Sequence, residues 1–127
     1  MSTATREVLL LSAWPEAHEN LVRLLAANGI PVAVSRCPQR ALRGLRRAPA
    51  LVLVDLVHGA GLDRHAVARL NRSRGRTLVV ALHEGGFGAF QAEVADLNVD
   101  GFCRAENWRP IAGLMGVAFH PTSQLAN

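Results

Sequence analysis

Three stretches of this chain, Val8-Leu-Leu-Leu11, Leu51-Val-Leu-Val54 and Leu78-Val-Val-Ala-Leu82, are apolar at every position. A strand that alternates apolar and polar residues has one wet face, whereas an uninterrupted apolar run of four or five is buried on both faces. Between these runs the apolar residues recur every three or four positions, the period of an amphipathic helix. Pro15 suits a first helical turn, positions 21, 22, 24 and 25 form an apolar stripe, and Asn28-Gly29 is a stop. Ile30 to Val34 reads as a short strand whose Pro31 favours a sheet edge. Pro38 opens a helix with Ala41, Leu42 and Leu45 inward and Arg36, Arg40, Arg43, Arg46 and Arg47 mostly outward.

The alternation continues to the end. Ala50 to Asp55 is the third strand, followed by the Gly-rich loop His58 to Leu62. Asp63 is a candidate N-cap for a helix to about Arg72 that buries Ala66, Val67 and Leu70. Thr77 to His83 is the fourth strand, and Phe87, Phe90, Val94 and Leu97 mark a helix stripe. Val99 to Cys103 is the fifth strand, and Asn107 is read as the cap of a last helix with Ile111, Leu114, Met115 and Ala118 inward. Five strand–helix units predict an α/β doubly wound, flavodoxin-like parallel sheet in the order 2-1-3-4-5, with helices on both faces. Residues 1–6 are expected to be disordered, 7–118 to form the domain, and 119–127 to be a tail or the start of a linker.

Composition agrees with one globular domain. The chain has 127 residues, half of them hydrophobic and 19% charged, which excludes its being a disordered tail as a whole. No apolar run is long enough to span a membrane, and the N-terminus does not read as a signal peptide. Cys37 and Cys103 form no C-x-x-C pair and suggest a reducing cytosol rather than a disulfide framework. They fall at opposite edges of the predicted sheet, roughly 19 Å apart, too far to bond. A soluble cytoplasmic protein is expected. The net charge is +4 and all fourteen basic residues are arginine. With only four Phe, two Trp and no Tyr, the arginine strip of the second helix reads as a solvated face, and nucleic-acid binding is disfavoured.

In strand order 2-1-3-4-5 ligands bind where the first and third strands diverge, at their carboxyl ends. Asp55 stands there, flanked by the loop after Leu11 and the ends of the fourth and fifth strands. The first turn, Ser12-Ala-Trp-Pro15, has no glycine, which argues against a dinucleotide site. Glu84-Gly-Gly-Phe-Gly88 could offer amides to an anion, though one glycine cluster is a weak signal. His58, His83 and Asp55 share one sheet end and suggest a metal site only weakly, since they lack any short-range spacing.

Leu51-Val-Leu-Val-Asp55-Leu, Trp14 to Leu21, Thr77 to His83 and Val99-Asp-Gly-Phe102 together resemble the receiver domain of two-component response regulators, over nearly the whole chain. The resemblance implies that Asp55 stands at the phosphoacceptor position. It also exposes departures. The two acidic metal positions are Ser12 and Ala13; the switch hydroxyl is His83, with Phe102 at the switch aromatic; and the Lys-Pro pair is Ala105-Glu106. Mg²⁺ requires oxygen ligands with carboxylates among them, so its binding is expected to be weak or absent, with no other cofactor. Arg104, one residue from the lost lysine, is not equivalent to an ammonium. If each missing electrostatic contribution is worth roughly 3–4 kcal/mol, the barrier to phosphoryl transfer rises by several kcal/mol.

The chain therefore reads as a non-enzymatic, degenerate (pseudo-)receiver acting by phosphorylation-independent protein contact. Its expected partner is a kinase, an output domain or a signalling complex. The receiver resemblance implies a contact or homodimer face formed by the fourth helix, fifth strand and fifth helix, here Phe87, Phe90, Phe102 and Trp108. Trp14, His58, Glu84 and Arg104 are expected at the pocket rim, with Trp14 a candidate cover. Two other readings are a divergent receiver still phosphorylated at Asp55, and a small-ligand or metal sensor using Asp55, His58 and His83.

Overall fold

The computed structural model describes residues 7–57, 64–84 and 98–116. Asp63, the Gly-rich loop with His58, the stripe with Phe87 and Phe90, and both termini lie outside the described residues. Five parallel strands form one sheet in the order β2-β1-β3-β4-β5. They are β1 (Val8–Leu11), β2 (Val32–Ser35), β3 (Leu51–Asp55), β4 (Leu78–His83) and β5 (Gly101–Arg104). The edge position of β2 follows from Pro31, which has no N–H but whose carbonyl accepts from Val8 N–H at 3.0 Å.

The pleat of β1 and β3 divides the core in two, because successive side chains point to opposite faces. Val8, Leu10, Leu51 and Leu53 pack with Leu21 and Leu25 of α1 (Glu19–Ala27) and with Ile111 of the last helix (Arg109–Leu114). Leu9, Leu11, Val52 and Val54 pack on the other face with Ala41 of α2 (Pro38–Gly44), Leu45, and Val67 and Leu70 of α3 (Arg64–Ser73). The uninterrupted apolar strands are those that serve both layers.

The helix boundaries differ locally from the sequence reading. Pro15–His18 is a 3₁₀ turn that precedes α1. Gly29 ends that region at φ +76°, a left-handed conformation for which glycine is suited. The last helix is capped by the Trp108 backbone position rather than by the Asn107 side chain. Leu114, expected inward, is 55% exposed, whereas Met115 is buried. The six-residue helix is too short to carry the expected stripe, and the chain leaves it at Met115.

Both cysteines are free, Cys37 half-buried after β2 and Cys103 buried in β5, at opposite edges of the sheet. Cys103 donates to the Asn107 carbonyl at 2.9 Å. Burial first, and the Glu106 carboxylate second, raise its thiol pKa. The folded state therefore prefers the protonated thiol; this contribution to stability is complete below the ordinary thiol pKa and is lost as pH rises through the raised value. Since the thiolate is the reactive form, iodoacetamide near neutral pH should label Cys37 before Cys103. Mass mapping that finds the reverse order would contradict this placement.

Candidate functional site

Strand parity delivers Asp55 to the α1 side of the sheet. It continues the series Leu51, Leu53, as Ser12 continues Val8, Leu10, and β1 and β3 pair in register with Leu11 beside Val54. Ser12 and Asp55 are thus carried to the same end of the same face, and neither has any exposed surface.

Ser12 Oγ donates to Asp55 Oδ2 at 2.7 Å and accepts from Trp14 N–H at 3.0 Å. His18 Nε2 lies 2.7 Å from the same Oδ2; with the carboxyl ionised, the ring nitrogen is the donor. On the other oxygen, Oδ1 accepts from Val57 N–H at 2.8 Å, a local turn that an Asp side chain readily closes. A carboxylate oxygen offers two lone pairs. At Oδ2 the Ser12 and His18 hydrogens take both.

His18 is the residue that sequence reasoning missed. It is buried, and it ends the 3₁₀ turn that leads into α1. The sequence offered two signals, the shared parity of Ser12 and Asp55 and a histidine next to Pro15-Glu-Ala, but the direction of its ring depends on the turn being 3₁₀. Trp14, the candidate cover, is 56% exposed, and its backbone N–H donates to Ser12 Oγ. The loop is held from outside by Arg36, which donates to the Ala13 carbonyl at 3.1 Å and to Glu16 at 3.0 Å.

Arg104, expected at the pocket rim, bonds to other partners: it donates to the Glu106 carboxylate and to the Glu84 carbonyl. That side-chain hydrogen bond is the largest cause holding Glu106 below the usual carboxylate range; a backbone hydrogen bond and the nearby Arg104 and His83 lower it further. Asp55 pairs with Leu82 across the ladder, so His83, the next residue, alternates to the opposite face. The Ala105 N–H closes the fifth-strand end on the His83 carbonyl at 2.7 Å. Phe102 is 37% exposed on β5, while Trp108 is half-buried and packs against the α1-side core.

Mg²⁺ does not fit this donor set. Among the described residues, the Asp55 carboxylate stands beside the neutral Ser12 hydroxyl, and His18 directs a nitrogen at the oxygen a cation would need. Among the described residues no three His, Cys, Asp or Glu side chains cluster as metal ligands.

The fold is that of response-regulator receiver domains. No protein-family model and no curated protein sequence matches the chain. Among solved structures it is similar to the signal receiver domain of an HD domain-containing protein from Pseudomonas fluorescens, with TM-score 0.72 and 17% identity over 100% of this chain and 96% of that one. It is similar also to the receiver domain of a sensor histidine kinase from Pseudomonas aeruginosa, with TM-score 0.69 and 19% identity over 89% and 99%. That neighbour has a magnesium ion coordinated in its active-site cleft. A third is a streptococcal redox sensor of a family evolved from two-component response regulators, with TM-score 0.67 and 18% identity over 87% and 51%.

Proposed function

We propose that this chain is a receiver-fold signalling module that acts by protein contact, with Asp55 serving as a structural carboxylate rather than a phosphoacceptor. The observation that carries the reading is the saturation of Oδ2. A carboxylate attacks phosphorus with a free lone pair, and cations must neutralise the transferring group. At Asp55 the two lone pairs of Oδ2 already accept from Ser12 and His18, Oδ1 accepts from Val57 N–H, and full burial of the side chain hinders approach of a phosphoryl donor to either oxygen. The cationic arginine nearest in sequence to the lost lysine, Arg104, is bonded elsewhere.

The partner would meet the β5 edge of the sheet, where Phe102 presents apolar surface; Leu114 of the last helix is exposed separately. A kinase, an output domain or a second copy are the classes such a face suits. No helix among the described residues is long and apolar enough to cross a membrane.

Incubation with acetyl phosphate and Mg²⁺, followed by intact-mass measurement, should give no added phosphoryl group. Beryllofluoride with Mg²⁺ should leave the amide NMR resonances of Ser12, Val57 and Leu82 in place. A mass increase that disappears in Asp55→Asn would establish phosphorylation at this residue and overturn the proposal.

A further inference from the structure

Ten of the fourteen arginines, but only two of the ten acidic residues, fall between positions 36 and 76. One of those two acids is Asp55, buried at the carboxyl end of the sheet. The segment contains α2 and α3, which cover the same face of the sheet. Between them lies a cavity of about 370 Å³. From α2 and the turn after it, Gln39, Arg43 and Arg46 face the cavity; the intervals of four and three place them in one stripe. From α3 come Arg69 and Ser73, also four apart. Leu42 and the buried Leu45 form an apolar floor.

The three guanidiniums of this cavity differ from much of the surface charge. Arg23, Arg36, Arg47, Arg74 and Arg104 each pair with a carboxylate. Arg43, Arg46 and Arg69 have no such pair among the described residues. Three like charges gathered around one concavity repel one another, and an anion seated among them relieves that repulsion. Arginine presents planar paired donors that match phosphate oxygens bidentately. The volume is in the range of small-ligand sites, where a few polar groups orient a molecule on an apolar surface.

We propose that the α2–α3 cavity binds a small phosphorylated ligand of nucleotide size, with its phosphates on Arg43, Arg46 and Arg69 and its less polar part on Leu42 and Leu45. Gln39 and Ser73 supply hydrogen bonds at the rim. The site is separate from Asp55, which lies on the other face of the sheet, and stands whether or not Asp55 accepts phosphate. A concave site of this size suits a compact ligand better than a duplex, whose backbone needs an extended basic track.

The 127-residue chain, in EDTA, is titrated with ATP, inorganic pyrophosphate and adenosine by calorimetry and by NMR. ATP should bind saturably below about 1 mM, with pyrophosphate weaker and adenosine without measurable heat, and shifts should centre on Arg43, Arg46, Arg69 and Ser73. Arg43→Ala and Arg69→Ala should each weaken ATP about tenfold, while Arg23→Ala, outside the cavity, leaves it unchanged. Arg69→Lys should also weaken binding, because an ammonium lacks the planar fork. All these arginines are exposed, so the melting temperatures should agree and exclude unfolding as the cause. No saturable ATP binding, equal binding by the Arg43→Ala/Arg69→Ala double variant, or a DNA duplex bound while ATP is not would each overturn the assignment.

Discussion

His18→Ala should destabilise the protein by about 3 kcal/mol and lower its melting temperature by about 10 °C. The buried Asp55 carboxylate would lose one of the two donors on Oδ2, and an uncompensated buried charge costs far more than the net worth of an average hydrogen bond. The vacated ring volume adds a packing cost if it stays dry. An ordinary histidine in the first turn of a surface helix would change stability by no more than about 0.5 kcal/mol, so the two cases are well separated. Urea denaturation of His18→Ala, Asp55→Ala and the double variant gives the coupling directly. The double variant should be less destabilised than the sum of the singles by about 1–3 kcal/mol. Additive effects would mean that the His18–Asp55 contact does not hold in solution.

Asp55→Asn is the second large effect, and its sign is as informative as its size. In a receiver whose phosphoacceptor sits among other carboxylates, the amide relieves like-charge repulsion, and the change is neutral or stabilising when no metal is bound. Here the neighbours are donors. If the amide nitrogen takes the Oδ1 place it faces Val57 N–H, which cannot rearrange. If it takes the Oδ2 place it faces the Ser12 hydroxyl and His18 Nε2, and both must reverse roles. Either way one buried donor loses its acceptor, at a cost of about 1–3 kcal/mol. Chemical denaturation without divalent metal should therefore show a loss of stability. A gain would place negative charge near Asp55 and reopen the phosphoacceptor reading.

This difference in sign also affects how functional variants are interpreted. An Asp55→Asn phenotype in cells would ordinarily be read as loss of phosphorylation. With Asp55 holding the loop after β1 to the loop after β3, the same phenotype would follow from loosening those two loops, which are joined through Ser12, His18 and Val57. Comparing melting temperatures of the variants beside their phenotypes separates the two causes.

The strand order was legible because the information is local. Runs such as Leu51 to Val54 require two apolar neighbours, and a parallel sheet with helices on both faces is the arrangement that provides them. Pro31 similarly placed β2 at an edge, and Asn28-Gly29 placed the end of α1. Ser12 and Ala13 after β1, and a chain without lysine, could likewise be read directly from the sequence.

What replaces them was decided by tertiary structure. Whether Trp14, Arg104 or His18 meets Asp55 depends on the path of the chain between Ser12 and Glu19. That path is set by the Ser12–Trp14 turn, the 3₁₀ geometry of Pro15–His18 and the Arg36 contacts that hold it from outside. A change of tenths of a turn there redirects a side chain without altering the hydrophobic pattern. Arg104, two strands from Asp55 in the sheet, turns instead to Glu106. The sequence by itself determined the sheet, its two core layers and the position of one carboxylate, because burial depends on pattern. Only the folded chain decided that this carboxylate is enclosed by Ser12 and His18, because hydrogen bonds depend on direction.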